Sequence, residues 1–204
     1  MPMTPEQFRA HAMTDADADG RLPLSRIATR DVYPFQTAGL AVMPLEPPQI
    51  PESPRHAENG VDCRACKENR PPIWSDVRWA LRVYGGDTGA PLVVILESRD
   101  HYDLPGLPDA LAAELGVSIV HLARAVESLP HIAGAHISRW GDGSERLHVF
   151  CFARPEGFAQ FRGTCFAIWD DLLPPVDPAG RDGDAAAVAQ TLAASYGGTV
   201  GGPA

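Results

Sequence analysis

The segment from Pro108 to Leu129 carries a clear helical pattern and constrains the fold of the chain most strongly. Pro108 suits the start of a helix, because proline is favoured in the first helical turn. Apolar residues then recur at intervals of three and four, which places them on one helical face: Leu111, Leu115, Ile119, Leu122, Val126 and Leu129. A helix with one apolar face needs an apolar partner, so the sequence predicts that it covers one face of a sheet.

Four segments around this helix are rich in β-branched and aromatic residues and predict strands. The first two are separated by the turn formers of Gly85–Gly89. The last two are joined by Gly141-Asp142-Gly143-Ser144, in which Asp-Gly favours a tight hairpin. The four predicted strands are Trp74–Tyr84, Pro91–Glu97, Ala135–Trp140 and Glu145–Ala153. The chain is therefore predicted to have an α+β fold, with an antiparallel sheet of about five strands covered by the long helix.

Prolines and glycines concentrate outside this central region. The run PLEPPQIPESP at 44–54 cannot sustain a helix or a central strand, because proline lacks an N–H and restricts the residue before it. This proline-rich arm is predicted to be extended. Two C-terminal helices are predicted at 164–173 and 184–196, followed by a flexible tail. The predicted organisation is an N-terminal extension with the arm at 1–59, a central domain at 60–175, and a C-terminal helix with a flexible tail at 176–204.

The charge of the chain restricts its partners. Asp and Glu number 26 against 17 Lys and Arg, which gives a formal net charge of -9. Such a charge repels a nucleic-acid backbone or an anionic membrane, and no basic cluster of useful size offsets it. The N-terminus lacks the basic-then-apolar order of a signal peptide, and the chain has no run of about 18 apolar residues. We expect a cytoplasmic protein that binds neither nucleic acid nor membranes.

The last predicted strand carries the residues best suited to chemistry. Side chains alternate across a strand, so Arg146, His148 and Phe150 share one side, whereas Leu147 and Val149 share the other. His148 follows a glycine-rich turn whose backbone N–H groups can meet an anion, and Arg146 adds a cation. A lone histidine on a half-buried strand is more often a hydrogen-bonded core residue, so the residues alone leave both interpretations open.

The run Arg146-Leu-His148-Val-Phe150-Cys-Phe-Ala-Arg154-Pro resembles the alternating His-φ-His-φ-His-φ-φ strand of the histidine-triad (HIT-like) superfamily, with its trailing basic residue. The order of a Cys-x-x-Cys pair, strands, a long helix and a hairpin into this strand is also similar, over residues 60–175. His148 falls on the middle histidine, whereas Arg146 and Phe150 replace the first and the third. The chain thus resembles a divergent bacterial member with an incomplete triad.

This resemblance implies a HIT-like fold, a homodimer, and a role for each position. In the superfamily the middle histidine attacks the α-phosphate of a nucleotide and forms a nucleotidyl-histidine, so His148 is the candidate nucleophile. A neutral imidazole suits this role if an acceptor holds its other ring N–H and cations balance the phosphoryl charge. The asparagine that the family carries on the preceding strand is not evident. The candidate phosphate-binding residues are Arg146, Ser138, Arg139, Gly143 and Ser144.

The cysteines fall into two groups. Cys151 and Cys165 lie in apolar runs and are predicted to be core residues. In a reducing compartment the Cys63-x-x-Cys66 pair favours metal binding or redox chemistry over a stable disulfide. Together with His101, the pair resembles the structural zinc site of some members of the superfamily. The candidate metal ligands are therefore Cys63, Cys66 and His101.

The fourth ligand of this zinc site is uncertain from the sequence. In the relatives it is the first triad histidine, whose position here holds Arg146, which cannot bind zinc. Either His56, His131 or His136 replaces it, or the site is vestigial. The redox alternative is less favoured, because Pro71-Pro72 follows closely and no helix begins there to lower a thiol pKa.

Three hypotheses on function follow. The first is a nucleotidyl hydrolase or transferase acting on a phosphate ester, anhydride or phosphoramidate, with His148 as nucleophile. The second is a non-catalytic nucleotide- or phosphometabolite-binding protein, in which Arg146 and Phe150 turn a reaction centre into a binding pocket. The third is a zinc-stabilised interaction protein whose contact surface is the proline-rich arm. No readable motif names the nucleobase, the leaving group or the acceptor.

Overall fold

The computed structural model describes residues 3–24, 33–36, 38–67 and 71–202. Contacts within the chain divide it into two units, residues 1–53 and 54–204. The boundaries predicted at 59 and 175 stay predictions. None of the helices in the described ranges is both long and apolar enough to cross a bilayer.

The first unit contains helix α1, Pro5–Ala12, and most of the proline-rich arm. A capping box starts the helix: the Thr4 hydroxyl accepts from the Gln7 backbone, and the Gln7 side chain accepts from the Thr4 backbone. Within this unit the Arg9 guanidinium donates to backbone carbonyls of the arm, including that of Glu46 at 3.2 Å. These bonds satisfy carbonyl groups that a proline-rich segment cannot pair in a sheet.

The second unit contains the remaining helices and all the strands described. The helices are α2 (Arg64–Lys67), α3 (Asp109–Glu127), α4 (Phe166–Leu172) and α5 (Pro178–Tyr196). The strands are β1 (Trp74–Ser75), β2 (Trp79–Val83), β3 (Val93–Ser98), β4 (Ile132–Ser138), β5 (His148–Pro155) and β6 (Thr199–Val200). Short 3-10 helices lie at Met13–Asp15 in the first unit and at Glu58–Gly60, Leu104–Gly106, Ala159–Phe161 and Gly163–Cys165 in the second.

The strands form one six-stranded sheet in the order β4-β5-β3-β2-β1-β6, and every neighbouring pair is antiparallel. The predicted α+β class and antiparallel sheet are confirmed, with six strands rather than about five. One difference is that the strand predicted at Trp74–Tyr84 is divided into β1 and β2. The carboxylate of Asp76 accepts from the backbone N–H groups of Arg78 at 2.7 Å and Trp79 at 2.6 Å. These bonds stabilise a turn between β1 and β2.

The C-terminal helix begins earlier than the predicted start at Asp184. Helix α5 starts at Pro178, and the side chain of Asp177 accepts from a backbone N–H of its first turn. The residues after α5 also differ from the predicted flexible tail, because β6 pairs with β1. The N–H of Gly201 donates to the carbonyl of Ile73 at 2.8 Å. The residues after α5 are therefore bonded to the edge of the sheet formed by β1.

The main core lies between one face of the sheet and the helices α3 and α5. Leu122 and Val126 of α3 and Leu192 of α5 are fully buried in it. The predicted role of the long helix is therefore correct, with bounds of 109–127 instead of 108–129. Helix α5 shares this task, and its buried Ala185 and Ala189 allow a close approach to the sheet.

The two faces of the sheet carry different side chains, and we name them accordingly. The core face is the side covered by α3 and α5, with Leu81, Val94, Leu96, Val149 and Cys151. The site face is the opposite side, with Arg82, Glu97, His148, Phe150 and Phe152. A smaller apolar cluster that includes Phe161 and Phe166 packs on part of the site face.

The loop between β4 and β5 does not form the tight hairpin predicted at 141–144. The pairing of the two strands ends at Ser138 on β4, and the loop instead pairs with an earlier segment. The backbone N–H of His56 donates to the carbonyl of Gly143, and the N–H of Glu145 donates to the carbonyl of His56, both at 3.0 Å. This pairing holds the cysteine-containing segment beside the start of β5.

Candidate functional site

Strand β5 presents His148 on the site face. Val149 and Cys151 are buried in the main core, whereas His148 and Phe150 contact each other on the other side, with ring centroids 5.6 Å apart. The alternation predicted from the sequence therefore holds along this strand. His148 is half-buried, so its ring is held in place by neighbours and still meets solvent.

The backbone just before strand β5 fixes the tautomer of His148. Its Nδ1 lies 2.6 Å from the carbonyl oxygen of Arg146. A carbonyl oxygen can only accept, so Nδ1 carries the hydrogen and donates it. In the neutral ring the lone pair then lies on Nε2, the nitrogen that a nucleophile or a general base would use. The acceptor that the sequence argument requires is thus a main-chain carbonyl.

Two charged residues that the sequence analysis missed lie beside this histidine. Glu97 on β3 lies opposite His148 in the strand register. Its Oε2 is 3.4 Å from Nε of Arg82 on β2. The Nη1 of Arg82 is buried and has no hydrogen-bond partner among the described residues. The sequence could have indicated both residues, because each is the single charged residue of an otherwise apolar strand: Arg82 in WALRVY and Glu97 in PLVVILE.

Aromatic rings cover the next positions of the site face. The ring of Phe150 lies 5.5 Å from Trp140, 6.0 Å from Tyr84 and 6.0 Å from Phe152, measured between centroids. Trp140 is 50% exposed, so part of this aromatic wall is open to solvent. At the position of the third triad histidine the chain thus presents an apolar surface that suits a flat ring rather than a charged group.

A cavity of about 160 Å³ adjoins these charged residues. We call it the site cavity, and its wall includes His56, Cys63, Arg82, Glu97 and Ser144. Ser144 was predicted to bind phosphate, and it lines the same cavity as Arg82. Gly143, also predicted to bind phosphate, uses its carbonyl to accept from the His56 backbone. The cavity therefore connects the glycine-rich loop with the segment of the first cysteine.

The side chain of Arg146, a predicted phosphate ligand, makes its bonds within the protein. Its side chain is 6% exposed, and its Nη1 donates to Sγ of Cys66 at 2.8 Å. Its Nη2 donates to the backbone carbonyls of Ser98 and Arg99. These three bonds hold the guanidinium against the end of β3 and the cysteine, while its buried Nε has no hydrogen-bond partner among the described residues. Phosphate binding by Arg146 stays a prediction.

Arg139 and Ser138, also predicted to bind phosphate, lie at the end of β4. Ser138 is opposite Phe150 in the register and half-buried. Arg139 donates to the carboxylate of Asp103, which also pairs with Arg55 at 2.9 Å. Burial alone would raise the pKa of Asp103, but the hydrogen bonds from the Leu104 backbone and Arg55 and the charge of Arg139 lower it. Arg139 is therefore engaged within the protein.

The predicted metal ligands Cys63, Cys66 and His101 come together. One ligand atom from each lies within 4.8 Å of the others, and Cys66 Sγ is 3.5 Å from His101 Nδ1. Thiolate and imidazole ligands around zinc lie roughly 3.5–4 Å apart, given bond lengths of about 2.0–2.3 Å. The other nitrogen, Nε2 of His101, is buried without a hydrogen-bond partner and lies 3.8 Å from the carboxylate of Glu145. The donor set and this arrangement fit zinc.

None of the three histidines proposed as the fourth ligand is grouped with this cluster. His131 pairs with Asp184 at 2.9 Å, and His136 packs edge-on against Phe166, so neither belongs to the cluster. His56 shares the site cavity with Cys63 but is not one of the grouped ligands. Arg146 holds the place beside Cys66 instead.

Burial explains the properties of three thiols, those of Cys151, Cys165 and Cys66. Cys151 and Cys165 are buried, which confirms them as core residues. Burial raises the pKa of Cys151 to about 12, so this thiol stays protonated. Burial and a hydrogen bond with Cys63 also raise the pKa of Cys66, although the charge of Arg146 opposes that shift.

Comparison with known proteins gives matches among solved structures. No protein-family model and no curated protein matches the sequence. A histidine triad protein from Bradyrhizobium japonicum matches at TM-score 0.49 and 21% identity, over 59% of this chain and 89% of that one. A Zn-bound histidine triad family protein from Mycobacterium smegmatis matches at 0.44 and 18%, over 60% and 83%. A hypothetical histidine triad nucleotide-binding protein from Sulfolobus tokodaii matches at 0.48 and 12%, over 66% and 97%.

All three carry a histidine triad name, and all three have TM-scores below 0.5 and identities below 25% with this chain. Function has to be argued from this chain's own residues, because a shared fold hosts different activities.

Proposed function

We propose that this chain binds a nucleotide or another phosphorylated small molecule on the site face, and that it is a nucleotidyl hydrolase or transferase with His148 as nucleophile. The observation that carries the proposal is the bond from Nδ1 of His148 to the Arg146 carbonyl at 2.6 Å. It holds the ring in the tautomer whose Nε2 lone pair can attack phosphorus.

The proposed reaction has two steps. In the first, Nε2 of His148 forms a bond to phosphorus while the bond from phosphorus to the leaving group breaks; the leaving group keeps the electron pair and takes a proton from water. In the second, a water molecule or another hydroxyl acceptor attacks phosphorus, gives up its proton to solvent, and releases Nε2. The substrate is an ester, an anhydride or a phosphoramidate, since each provides such a leaving group.

Arg82 is the cation that we assign to the phosphoryl group in this proposal. It lines the site cavity, and its Nη1 lacks a hydrogen-bond partner among the described residues, so a phosphoryl oxygen would satisfy that N–H. Glu97 lies between Arg82 and the histidine strand and keeps the guanidinium oriented through its 3.4 Å contact. Ser138 and Ser144 stay candidate hydroxyl donors to the phosphate.

The aromatic wall would receive the nucleoside base or another flat group. Trp140 and Phe150 offer ring surfaces beside His148, and the exposed half of Trp140 can stack without displacing a packed neighbour. The phosphate would then lie toward Arg82 and the base toward Trp140.

A second candidate function is nucleotide or phosphometabolite binding without turnover. It is favoured by the surroundings of His148, where Phe150 offers no hydrogen bond and the Arg146 guanidinium points its donors to Cys66 and β3. Loss of partners from a cooperative catalytic group can reduce a rate by several orders of magnitude. The two candidates share a binding site and differ only in turnover.

Structural zinc is a separate part of the proposal. Cys63, Cys66 and His101 would hold the ion, which would tie the segment before β1 to the end of β3 and stabilise both. This property also belongs to the third hypothesis, a zinc-stabilised interaction protein. The homodimer that the resemblance implies is proposed as well, and the mass in solution from light scattering tests it.

The test of the function compares wild type, His148→Ala and His136→Ala. His136 is a matched control, because it lies on β4 on the site face but packs against Phe166. We expect turnover of nucleoside phosphoramidates or dinucleoside polyphosphates in wild type and His136→Ala, and none in His148→Ala. Unchanged turnover in His148→Ala would refute the nucleophile. Saturable nucleotide binding without wild-type turnover would favour the second candidate.

A further inference from the structure

The site cavity and the cysteine cluster share Cys63. A ligand in the cavity could therefore reach a metal ion held by the cluster. We infer that Cys63, Cys66 and His101 hold a divalent zinc-type cation with one open coordination position, and that a small oxyanion such as a phosphate group fills it. This inference rests on the proposed metal site and is independent of the role proposed for His148.

The first argument is the number of ligands. A structural zinc site is closed by four protein ligands, whereas a site with three leaves a position for water or a ligand. Among the described residues the cluster contains three donors. The residue beside it, Arg146, has no lone pair to offer a metal and is fixed by its bonds to the Ser98 and Arg99 carbonyls. It therefore cannot close the shell.

The second argument is the state of His101. Its Nδ1 faces Cys66 Sγ at 3.5 Å, so this nitrogen is the ligand atom. A metal on Nδ1 leaves Nε2 protonated, and Nε2 is the buried nitrogen that has no partner and lies 3.8 Å from Glu145. Metal-bound histidines donate their second N–H to a carboxylate in this way. A small movement of Glu145 would complete the hydrogen bond from Nε2. A metal on Nδ1 therefore explains why this buried nitrogen lies near a carboxylate.

The third argument is charge. A divalent ion with two thiolates and a neutral imidazole has no net charge, and the Arg146 guanidinium at 2.8 Å from Cys66 adds a positive one. Glu145 lies on the far side of the imidazole. In the wall of the cavity Glu97 pairs with Arg82, so this carboxylate is balanced and does not cancel the charge of Arg146. An anion, rather than a neutral ligand, suits this surrounding.

The fourth argument is access. Cys63 is 2% exposed, and the cavity that it lines measures about 160 Å³. A water molecule occupies about 30 Å³ of liquid, so this space holds several waters or one small oxyanion. Arg82 lines the same cavity, and its guanidinium, whose buried Nη1 has no hydrogen-bond partner among the described residues, would turn to provide a second contact for that anion.

The experiment uses the full chain loaded with Co²⁺, whose visible absorption reports the number and type of its ligands. Inorganic phosphate is titrated into wild type, Arg146→His and His148→Ala. We expect a saturable change of the spectrum in wild type and in His148→Ala. Arg146→His supplies a fourth ligand, so it should bind Zn²⁺ at least about tenfold tighter in competition with a chelator, and it should not respond to phosphate.

Controls keep the outcomes distinct. Circular dichroism checks the fold of Arg146→His, and the wild-type titration decides the inference even if that variant fails to fold. Cys63→Ser should weaken Co²⁺ binding strongly. Failure of wild type to bind Co²⁺ or Zn²⁺, or a wild-type spectrum that phosphate does not change, would overturn the inference. Neither result would bear on nucleotide turnover by His148, which is measured separately.

Discussion

The core face and the site face of the same sheet are built by different rules. On the core face, Leu81, Leu96 and Val149 alternate into an apolar interior closed by α3 and α5. On the site face, the residues next to them are Arg82, Glu97 and His148, which are half-buried and oriented by specific bonds, while Nη1 of Arg82 has no hydrogen-bond partner among the described residues. The core face therefore contributes stability through the close packing of apolar side chains. The site face holds polar groups in fixed orientations and leaves some of their atoms available to a ligand.

The largest effect is expected on the core face. Leu122→Ala removes a side chain that is 0% exposed, and the resulting cavity should lower the free energy of unfolding by about 2–5 kcal/mol. Val117→Ala is the matched control on the same helix, because Val117 is 50% exposed and should change the value by less than about 0.5 kcal/mol. Urea unfolding measures both. Equal losses would show that α3 does not cover the core as described.

The next effect concerns the buried carboxylate of α4. Asp170 accepts from the Thr88 hydroxyl and from the Ala90 backbone, each at 2.7 Å. Asp170→Ala leaves the buried Thr88 hydroxyl without its acceptor and the Ala90 N–H with only the longer bond to Thr88 Oγ1 at 3.3 Å, and we expect a loss of about 1–3 kcal/mol in the free energy of unfolding. The neighbour Asp171 is exposed, so Asp171→Ala should have little effect. The reverse order in urea unfolding would disprove the bonding.

A smaller effect is expected from Asp103, between Arg55 and Arg139. Its pKa is lowered in the folded protein, since the bonds from Leu104 and Arg55 and the charge of Arg139 outweigh burial. Its contribution to stability is therefore complete above its unfolded pKa and is lost as the pH falls from about 4. We expect wild type to be more stable than Asp103→Asn at pH 7 and the difference to shrink at pH 3. A difference independent of pH would contradict the shift.

The smallest effect is expected from His136. Burial, and then the charge of Arg154, lowers the pKa of this imidazole. Protons then bind better to the unfolded chain, so stability from this group is complete above about pH 6.5 and declines below it. His136→Gln should flatten the dependence of thermal stability on pH between 7 and 5 by a few tenths of a kcal/mol. If His136→Gln leaves the dependence of thermal stability on pH unchanged, burial does not lower the pKa of His136.

The sequence predicted the core face better than the site face, for physical reasons. The apolar period of 108–129 and the alternation around Val149 depend on neighbours along the chain, and the structure contains both. The turn at Asp76 and the pairing of β6 depend on side-chain bonds and free edges that periodicity does not report. The sheet and the long helix were therefore predictable, whereas the strand count was not.

The site was predicted in its parts but not in its connections. Local alternation was enough to place His148, and spacing was enough to select Cys63 and Cys66. The contact from Arg146 to Cys66 joins residues far apart in the sequence, so no local pattern could reveal it. Arg82 and Glu97 were overlooked because a charge within a strand is informative only once the faces of the sheet are known.

The most direct test of the central claim is a search for the covalent intermediate on His148. Wild type and His148→Ala are mixed with a nucleoside phosphoramidate, quenched in base to preserve a phosphorus–nitrogen bond, and analysed by mass spectrometry of their peptides. The account predicts a nucleotidyl adduct on the wild-type peptide that contains His148 and none in the variant. Turnover by His148→Ala at the wild-type rate, or an adduct at another residue, would contradict it.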